Sequence, residues 1–415
     1  MFECPPVILL ALWFLWIYQA FATAVRHSRF NRRLQKQVRP AFFRFNPKAT
    51  VILPVKGADD DLQSLVLGLL QQDYPDYQVV FVVESVEDPA YAILKQLEQH
   101  DKSMRILIAG SSAPCVSQKV HNQLVAIDYL EPNCKDDEVW VFADSDITAQ
   151  PYWLARLVGP LSRSSKNGVT TGYRWMVPAP DRKGNISLWS HLASICNSSV
   201  ACQLRNHRCS YAWGGSMAML VGTARRGGLR DWFSGAVSDD YQITRMFRDL
   251  NLRVYFVPQC LVASSVAMDC SGFYQFGRRQ YLITRVYAPF LYIAALMATG
   301  LYVAGCLTSM IYLMQCLILG AGWLSCWFPV SAMVMVLSCN QIRSSLRARI
   351  VRVSFGTDIH DQLKRTLMMD RWLTPVWMTV HFSVILTALF GRTLCWRNVR
   401  YRLNGPQQIQ RLPTG

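Results

Sequence analysis

Between residues 49 and 265, short apolar runs alternate with stretches whose apolar positions recur at helical spacing. Val51-Ile52-Leu53-Pro54-Val55 reads as a first strand that stops at the turn Lys56-Gly57. Asp59-Asp60-Asp61 then opens a helix carrying the periodic Leu62, Leu65 and Leu69. Further strands are expected at 79–83, 105–108 and 139–143, with helices at 91–97 and 120–130 between them. Strands alternating with helices predict an α/β domain with a mostly parallel sheet and right-handed crossovers. Elsewhere the apolar runs are longer. The one from Pro6 to about Ala24 approaches the thickness of a bilayer. Residues 289–339 contain no Asp, Glu, Lys or Arg, and suit two spanning helices joined by a turn near Gly320–Gly322. A fourth apolar stretch covers 372–390, and the tail from Asn404 to Gly415 reads as loose.

This pattern divides the 415 residues into an N-terminal transmembrane anchor (1–25), an α/β domain (26–285) and a transmembrane hairpin (286–340). A basic interfacial segment (341–371), a membrane-associated or re-entrant segment (372–403) and the tail (404–415) follow. The formal charge of +16, from 43 Lys+Arg against 27 Asp+Glu, suits either nucleic acid or an anionic membrane surface. With 51% hydrophobic residues and these apolar segments, the membrane is the expected partner and nucleic acid is not. Arg26, Arg29, Arg32, Arg33, Lys36 and Arg39 follow the first apolar run. A signal peptide would place such charges before it, so the run reads as an anchor with its C-terminal side in the cytosol. Arg278, Arg279 and Arg285 precede the hairpin, and Arg343, Arg347, Arg349 and Arg352 follow it, so both flanks are expected inside. The last apolar stretch has basic flanks too (Lys364, Arg365 and Arg371, then Arg392, Arg397, Arg400 and Arg402), which one crossing cannot satisfy. Residues 342–364 suit the membrane interface, with Trp372 and Trp377 as anchors, or equally a plain positive-inside loop. The 13 cysteines are scattered; Cys196, Cys202, His207 and Cys209 are the densest group and could hold zinc, but their spacing fits no standard pattern, and the cysteines read rather as reduced thiols.

Candidate chemistry concentrates where strands end. Val139-Trp140-Val141-Phe142-Ala143 runs straight into Asp144-Ser145-Asp146. Two carboxylates one residue apart, at the carboxyl end of a buried strand, can hold Mg²⁺ or Mn²⁺ with open positions for phosphate oxygens. Glu84 ends the second strand, where a carboxylate can accept from a ribose diol or a base, although a solvated loop acid looks the same. Lys119 opens a helix with Asn122 one turn later, a pair able to meet a phosphate or base, although a solvated helix end looks the same. Gly214-Gly215 after Trp213 allows a close backbone approach to a ligand, or an ordinary turn. Asp239-Asp240 precedes a helix; such acids cap helices, and one of them can also serve as a general base. Arg278, Arg279 and Gln280 stand just before the hairpin, where guanidinium groups could neutralise a departing diphosphate or simply mark a cytosolic flank.

In this order the set resembles family 2 glycosyltransferases, most closely the ceramide glucosyltransferase branch. The carriers are 53–57 (Leu-Pro-Val-Lys-Gly), Gln72-Asp73-Tyr74-Pro75, the segment from Glu84 to Asp88-Pro89-Ala90, Lys119 with Asn122, Asp144-Ser145-Asp146, Asp239-Asp240-Tyr241, and the tail Trp396-Arg397 with Arg400-Tyr401-Arg402-Leu403. The resemblance implies a GT-A type domain on the cytosolic face, a UDP-sugar donor (most naturally UDP-glucose) and inversion at the anomeric centre. It places Asp144 and Asp146 on the metal–diphosphate motif and Asp240, beside Asp239, on the catalytic base. Lys56, Glu84, Asp88, Lys119, Asn122, Gly214 and Gly215 fall on the donor side. Gln275-Phe276-Gly277-Arg278 matches four places of the family's Gln-x-x-Arg-Trp signature, but Arg279 stands where Trp belongs; a shifted register would use Arg279-Gln280. Loss of that tryptophan implies a single transfer rather than a polymer. The acceptor is expected to be a membrane lipid with a primary hydroxyl, ceramide first and diacylglycerol second. A receptor or transporter with a nucleotide-binding domain is the rival from another class. A transporter would want charges within its helices, and 289–339 has none.

Overall fold

The computed structural model describes residues 5–36, 44–58, 62–205, 210–396 and 399–412. The helix start at Asp59-Asp60-Asp61, the flanking Arg39 and Arg397, and His207 and Cys209 lie outside the described residues. The chain forms two compact units: Lys36–Met176 with Leu204–Ser265 and Arg392–Gly415, and Met1–Gln35 with Val177–Gln203 and Val266–Gly391.

The first unit is built on a seven-stranded sheet of β1 (Ala49–Pro54), β2 (Tyr77–Val83), β3 (Met104–Ile108), β4 (Val139–Ala143), β5 (Asn167–Pro178), β6 (Ser216–Leu220) and β7 (Arg253–Val266). Its order is β3-β2-β1-β4-β6-β5-β7. The first four strands are parallel, and β6 runs antiparallel to both β4 and β5. This is the α/β, mostly parallel architecture expected from the sequence. The apolar runs of β1, β2 and β4 arise because helices cover both faces of the sheet. Alternation then divides the core. Val51, Leu53, Phe81 and Val141 face the helix Leu62–Leu70, while Ile52, Val80, Trp140 and Phe142 share a cluster with Val120, Ile243 and Phe247.

Three more strands, β8 (Thr393–Trp396), β9 (Val399–Gly405) and β10 (Gln408–Leu412), form an antiparallel sheet in the order β10-β9-β8. The tail expected to be loose from Asn404 is therefore ordered in β9 and β10, and residues 393–403 belong to the α/β unit rather than to a membrane segment. Alternation explains it: Leu394, Tyr401, Leu403 and Ile409 are buried, while Arg400, Arg402 and Gln410 face out.

The second unit is helical. Val7–Leu34, Pro289–Ile318 and Ser325–Gln362 are each long and apolar enough to cross a membrane, and Thr374–Thr387 is a shorter apolar helix. The expected turn after the second of these is present, with Gly320 at φ +61°. Trp16 packs edge-on to Tyr302 at 5.8 Å and lies directly over Gly305, where any side chain would collide with its indole. Small residues admit such close approach between membrane helices. One expectation is corrected here. Arg343 and Arg347, read as an interfacial flank, are buried on the helix Trp323–Gln362, at 5% and 1% exposure. Their i, i+4 spacing puts both on one face, where both meet Asp370. Trp377, expected as an interfacial anchor, is buried beneath the two guanidinium groups; Trp372 is exposed.

Candidate active site

The site of the α/β unit assembles at the carboxyl ends of the parallel strands. Lys56 follows β1, Glu84 follows β2 and Asp144 follows β4. Antiparallel pairing of Ala143 with Ser216 brings the start of β6, and so Gly214-Gly215, beside Asp144. At the centre is Lys119, one residue into the helix Gln118–Leu130, whose N-terminus is capped by the Ser117 side chain. Its ammonium donates to Asp144 Oδ1 at 2.7 Å and to Asp239 at 3.0 and 3.2 Å. Burial alone would lower the Lys119 pKa, but the charges of Asp144 and Asp239 outweigh it and hold the ammonium well above the ordinary lysine range. Gln123, one turn further along the same helix face, donates to Asp239 Oδ2 at 2.7 Å.

Asp240 stands next to this cluster. Its Oδ1 accepts from the Tyr241 N–H at 2.7 Å and from the Ser238 hydroxyl, and its Oδ2 accepts from the Gly214 N–H at 3.4 Å. Burial first and the neighbouring Asp239 carboxylate second push its pKa up to about 6, against the pull of Lys119. Asp146 pairs with Arg174 at 3.0 Å. Burial raises its pKa, Arg174 opposes that, and the adjacent Asp144 adds to it. Arg174 in turn lies over the Trp213 ring, 5.9 Å from its centroid.

Glycine is required where the backbone of 214–215 presses on these charges. A Cβ at Gly214 would sit 2.7 Å from Asp239 Oδ2 and 2.9 Å from Lys119 Nζ, and one at Gly215 would sit 2.7 Å from Asp144 Oδ2. Gly214→Ala is therefore expected to destabilise the protein by about 1–3 kcal/mol, the range for overpacking a filled site. Thermal unfolding in detergent checks this; an unchanged midpoint would mean that the cluster opens freely.

Four carboxylates (Asp144, Asp146, Asp239 and Asp240) thus share two cations, Lys119 and Arg174. Among the described residues no group of three or more His, Cys, Asp or Glu side chains forms a closed metal cage. The donor types fit a hard divalent cation all the same: two carboxylates one residue apart and an acidic excess, with Asp144 and Asp146 the residues that would hold it.

The other residues singled out in the sequence divide. Glu84 pairs with Lys56 at 2.7 Å and accepts from Ser111 at 3.1 Å; burial opposes ionisation of Glu84, but the Lys56 pair and hydrogen bond outweigh it, and its pKa lies below the usual glutamate value. Asp88 is a helix cap: it accepts from Ala90 N–H at 2.9 Å and ties down Gly57 N–H at 2.9 Å. Asn122 is buried and donates to the Val82 carbonyl at 3.0 Å, locking its helix to β2. Arg278, Arg279 and Gln280 belong to the helical unit, on Cys270–Tyr287. There Arg278 donates to the Phe390 carbonyl at 2.8 Å and Arg279 lies over the Phe276 ring. The sequence reading missed Arg174, Gln123 and Ser238. Ser238 before two acids was a legible cap and Gln123 was legible from its spacing to Lys119, whereas Arg174 in β5 carries no local signal.

A profile of glycosyl transferase family 21 matches residues 11–409. The ceramide glucosyltransferase of Komagataella phaffii is 31% identical over 127 residues, covering 29% of this chain and 24% of the relative. That of Pyricularia oryzae is 28% identical over 127 residues, covering 28% of this chain and 26% of the relative. The chain thus spans about a quarter of the length of the curated relatives it matches. Among solved structures, a mannosyltransferase from Pyrobaculum calidifontis in complex with GDP-mannose and Mn²⁺ is 15% identical, covers 92% of this chain and 97% of its own, and has a TM-score of 0.46. Glucosyl-3-phosphoglycerate synthase from Mycobacterium tuberculosis in complex with Mn²⁺, UDP and glucosyl-3-phosphoglycerate is 15% identical, covers 56% of this chain and 79% of its own, and has a TM-score of 0.35.

Proposed function

Because the chain belongs to glycosyl transferase family 21, we propose that it is a membrane enzyme that moves a hexose from a UDP-sugar, UDP-glucose first, to the primary hydroxyl of ceramide. The observation that carries this reading is the gathering of Asp144, Asp239 and Asp240 around Lys119 at the sheet's carboxyl edge. In this mechanism Asp240 accepts the proton of the lipid hydroxyl as its oxygen attacks the anomeric carbon, inverting that centre. Lys119 and Asp239 hold each other in place, and Asp144 and Asp146 offer carboxylates for the cation. A divalent ion bound there supplies charge neutralisation to the departing diphosphate. Glu84 and Lys56 line the nucleotide end. The spanning helices serve the acceptor, whose acyl chains are not exposed to water during transfer. The basic residues that end the first apolar run and those that precede the hairpin support a cytosolic catalytic unit, and the three candidate spans support a multi-pass topology.

The test uses the full chain in detergent, with labelled UDP-sugars and ceramide, diacylglycerol or a sterol, with and without EDTA. Transfer of glucose to ceramide, lost in EDTA, is expected. Transfer to diacylglycerol alone would replace the acceptor, and no transfer from any UDP-sugar would overturn the reading.

A pH dependence follows from the base. Asp240 works only as the carboxylate, and its pKa lies at about 6, so the ionised fraction grows as pH rises through that value. The transfer rate is expected to fall on the acid side with a midpoint near 6, well above an ordinary aspartate. A pH–rate profile with its acid limb near 4, the usual carboxylate range, would mean that burial and Asp239 do not hold the Asp240 carboxyl up during transfer.

A further inference from the structure

The tail motif around Arg400-Tyr401-Arg402-Leu403 has so far no part in the chemistry, yet its fold places it against both catalytic segments. On one side, the Gln407 carboxamide donates to the carbonyls of Asp231 and Ser234 at 2.7 and 3.1 Å. Gly235, at φ +68°, lies so close to the Gln407 carbonyl that a Cβ there would collide with it. This is the loop that leads into Ser238, Asp239 and Asp240. On the other side, the Arg411 N–H donates to the Pro114 carbonyl at 2.8 Å. The buried Tyr401 phenol meets the backbone of Gln118, beside Lys119. The two gripped segments are themselves joined, since Ser117 donates through its N–H to Ala236 O and through its hydroxyl to Val237 O, both at 3.2 Å.

We propose that the C-terminal hairpin, residues 399–412, is a positioning element for transfer: through Gln407 and Tyr401 it holds the segments of Lys119 and of Asp239-Asp240 in the one arrangement in which Asp240 meets the acceptor. Neither residue touches the reacting atoms. This rests on Asp240 being the base. Misplacing a reacting group by about an ångström can cost up to about 10²-fold in rate, so a hairpin that fixes it has a kinetic signature.

The variants are Gln407→Glu, which keeps the side chain's length but turns an oxygen toward two carbonyls, and Tyr401→Phe, which keeps the ring and removes the hydroxyl. In the full chain in detergent, amide hydrogen exchange is expected to rise in both 114–122 and 231–238. The value of kcat is expected to fall about tenfold with donor KM within about twofold, and the acid limb of the pH–rate profile to move. Unchanged exchange in both segments, or a fall in kcat that is absent once melting temperatures are matched by working at lower temperature, would overturn the proposal. Should Gln407→Glu fail to fold, Tyr401→Phe decides by the same readouts. If the unaltered protein transfers no sugar, the functional reading fails, while hydrogen exchange still decides whether the hairpin holds the two segments.

Discussion

Asp240→Asn is expected to lower sugar transfer about 10²–10⁴-fold while leaving the protein folded and UDP binding intact, the loss typical of removing a positioned base. Asparagine keeps a carbonyl oxygen that can still accept from the Tyr241 N–H and the Ser238 hydroxyl, so the local structure has no reason to open. What disappears is the group able to take a proton. The choice of Asp240 over Asp239 is geometric. Both oxygens of Asp239 are engaged, by Lys119 at 3.0 and 3.2 Å and by Gln123 at 2.7 Å. In Asp240 only Oδ1 is held firmly; Oδ2 has a contact of 3.4 Å to the Gly214 N–H and is the oxygen an incoming hydroxyl can approach. Asp239→Asn should accordingly act through Lys119, with weaker binding of donor and a lower melting temperature. Steady-state rates for the two variants, beside UDP affinity by calorimetry, separate the roles. Near-normal turnover by Asp240→Asn would end its assignment as the base.

The parts of the fold that depend on near neighbours in sequence were legible. β1 to β4 are apolar runs bounded by turns, and each was expected within two residues of where it lies. Asp144, Glu84 and Lys119 were legible because each ends a strand or opens a helix, places where a side chain faces a ligand. What sequence could not deliver is pairing across distance. β5 and β6 mix threonine, serine and arginine with apolar residues, and they are strands because Ala218 lies between β4 and Thr170, far apart along the chain. Arg174 is paired with Asp146 only through that arrangement. At Asp88 the structure shows a local role that was legible too: it caps a helix, as an aspartate before proline commonly does. In the tail, residues 399–404 do alternate apolar and polar, but β8 and β10 are only four and five residues long, and the sheet exists through the pairing that buries Leu394, Tyr401, Leu403 and Ile409.

The largest stability effect is expected in the helical unit, at Asp370. This carboxylate, 1% exposed, accepts from Arg343 at 3.0 Å and from Arg347 at 2.8 Å, all through Oδ1. Arg347 also donates to His27 Nε2 at 3.2 Å, so the first candidate span, the helix Trp323–Gln362 and the helix Lys364–Trp372 meet at one point. Two buried cations around one anion leave no spare compensation. Asp370→Ala would strand both, and breaking a buried pair by removing one partner costs about 3–5 kcal/mol. Thermal unfolding in detergent should show a loss of that order, far beyond what a surface ion pair contributes. Arg343→Leu with Arg347→Leu in the Asp370→Ala background removes the stranded cations, so much of the stability should return. If Asp370→Ala is as stable as the unaltered chain, or the added leucines deepen the loss, then packing against Trp377 rather than charge holds this junction together.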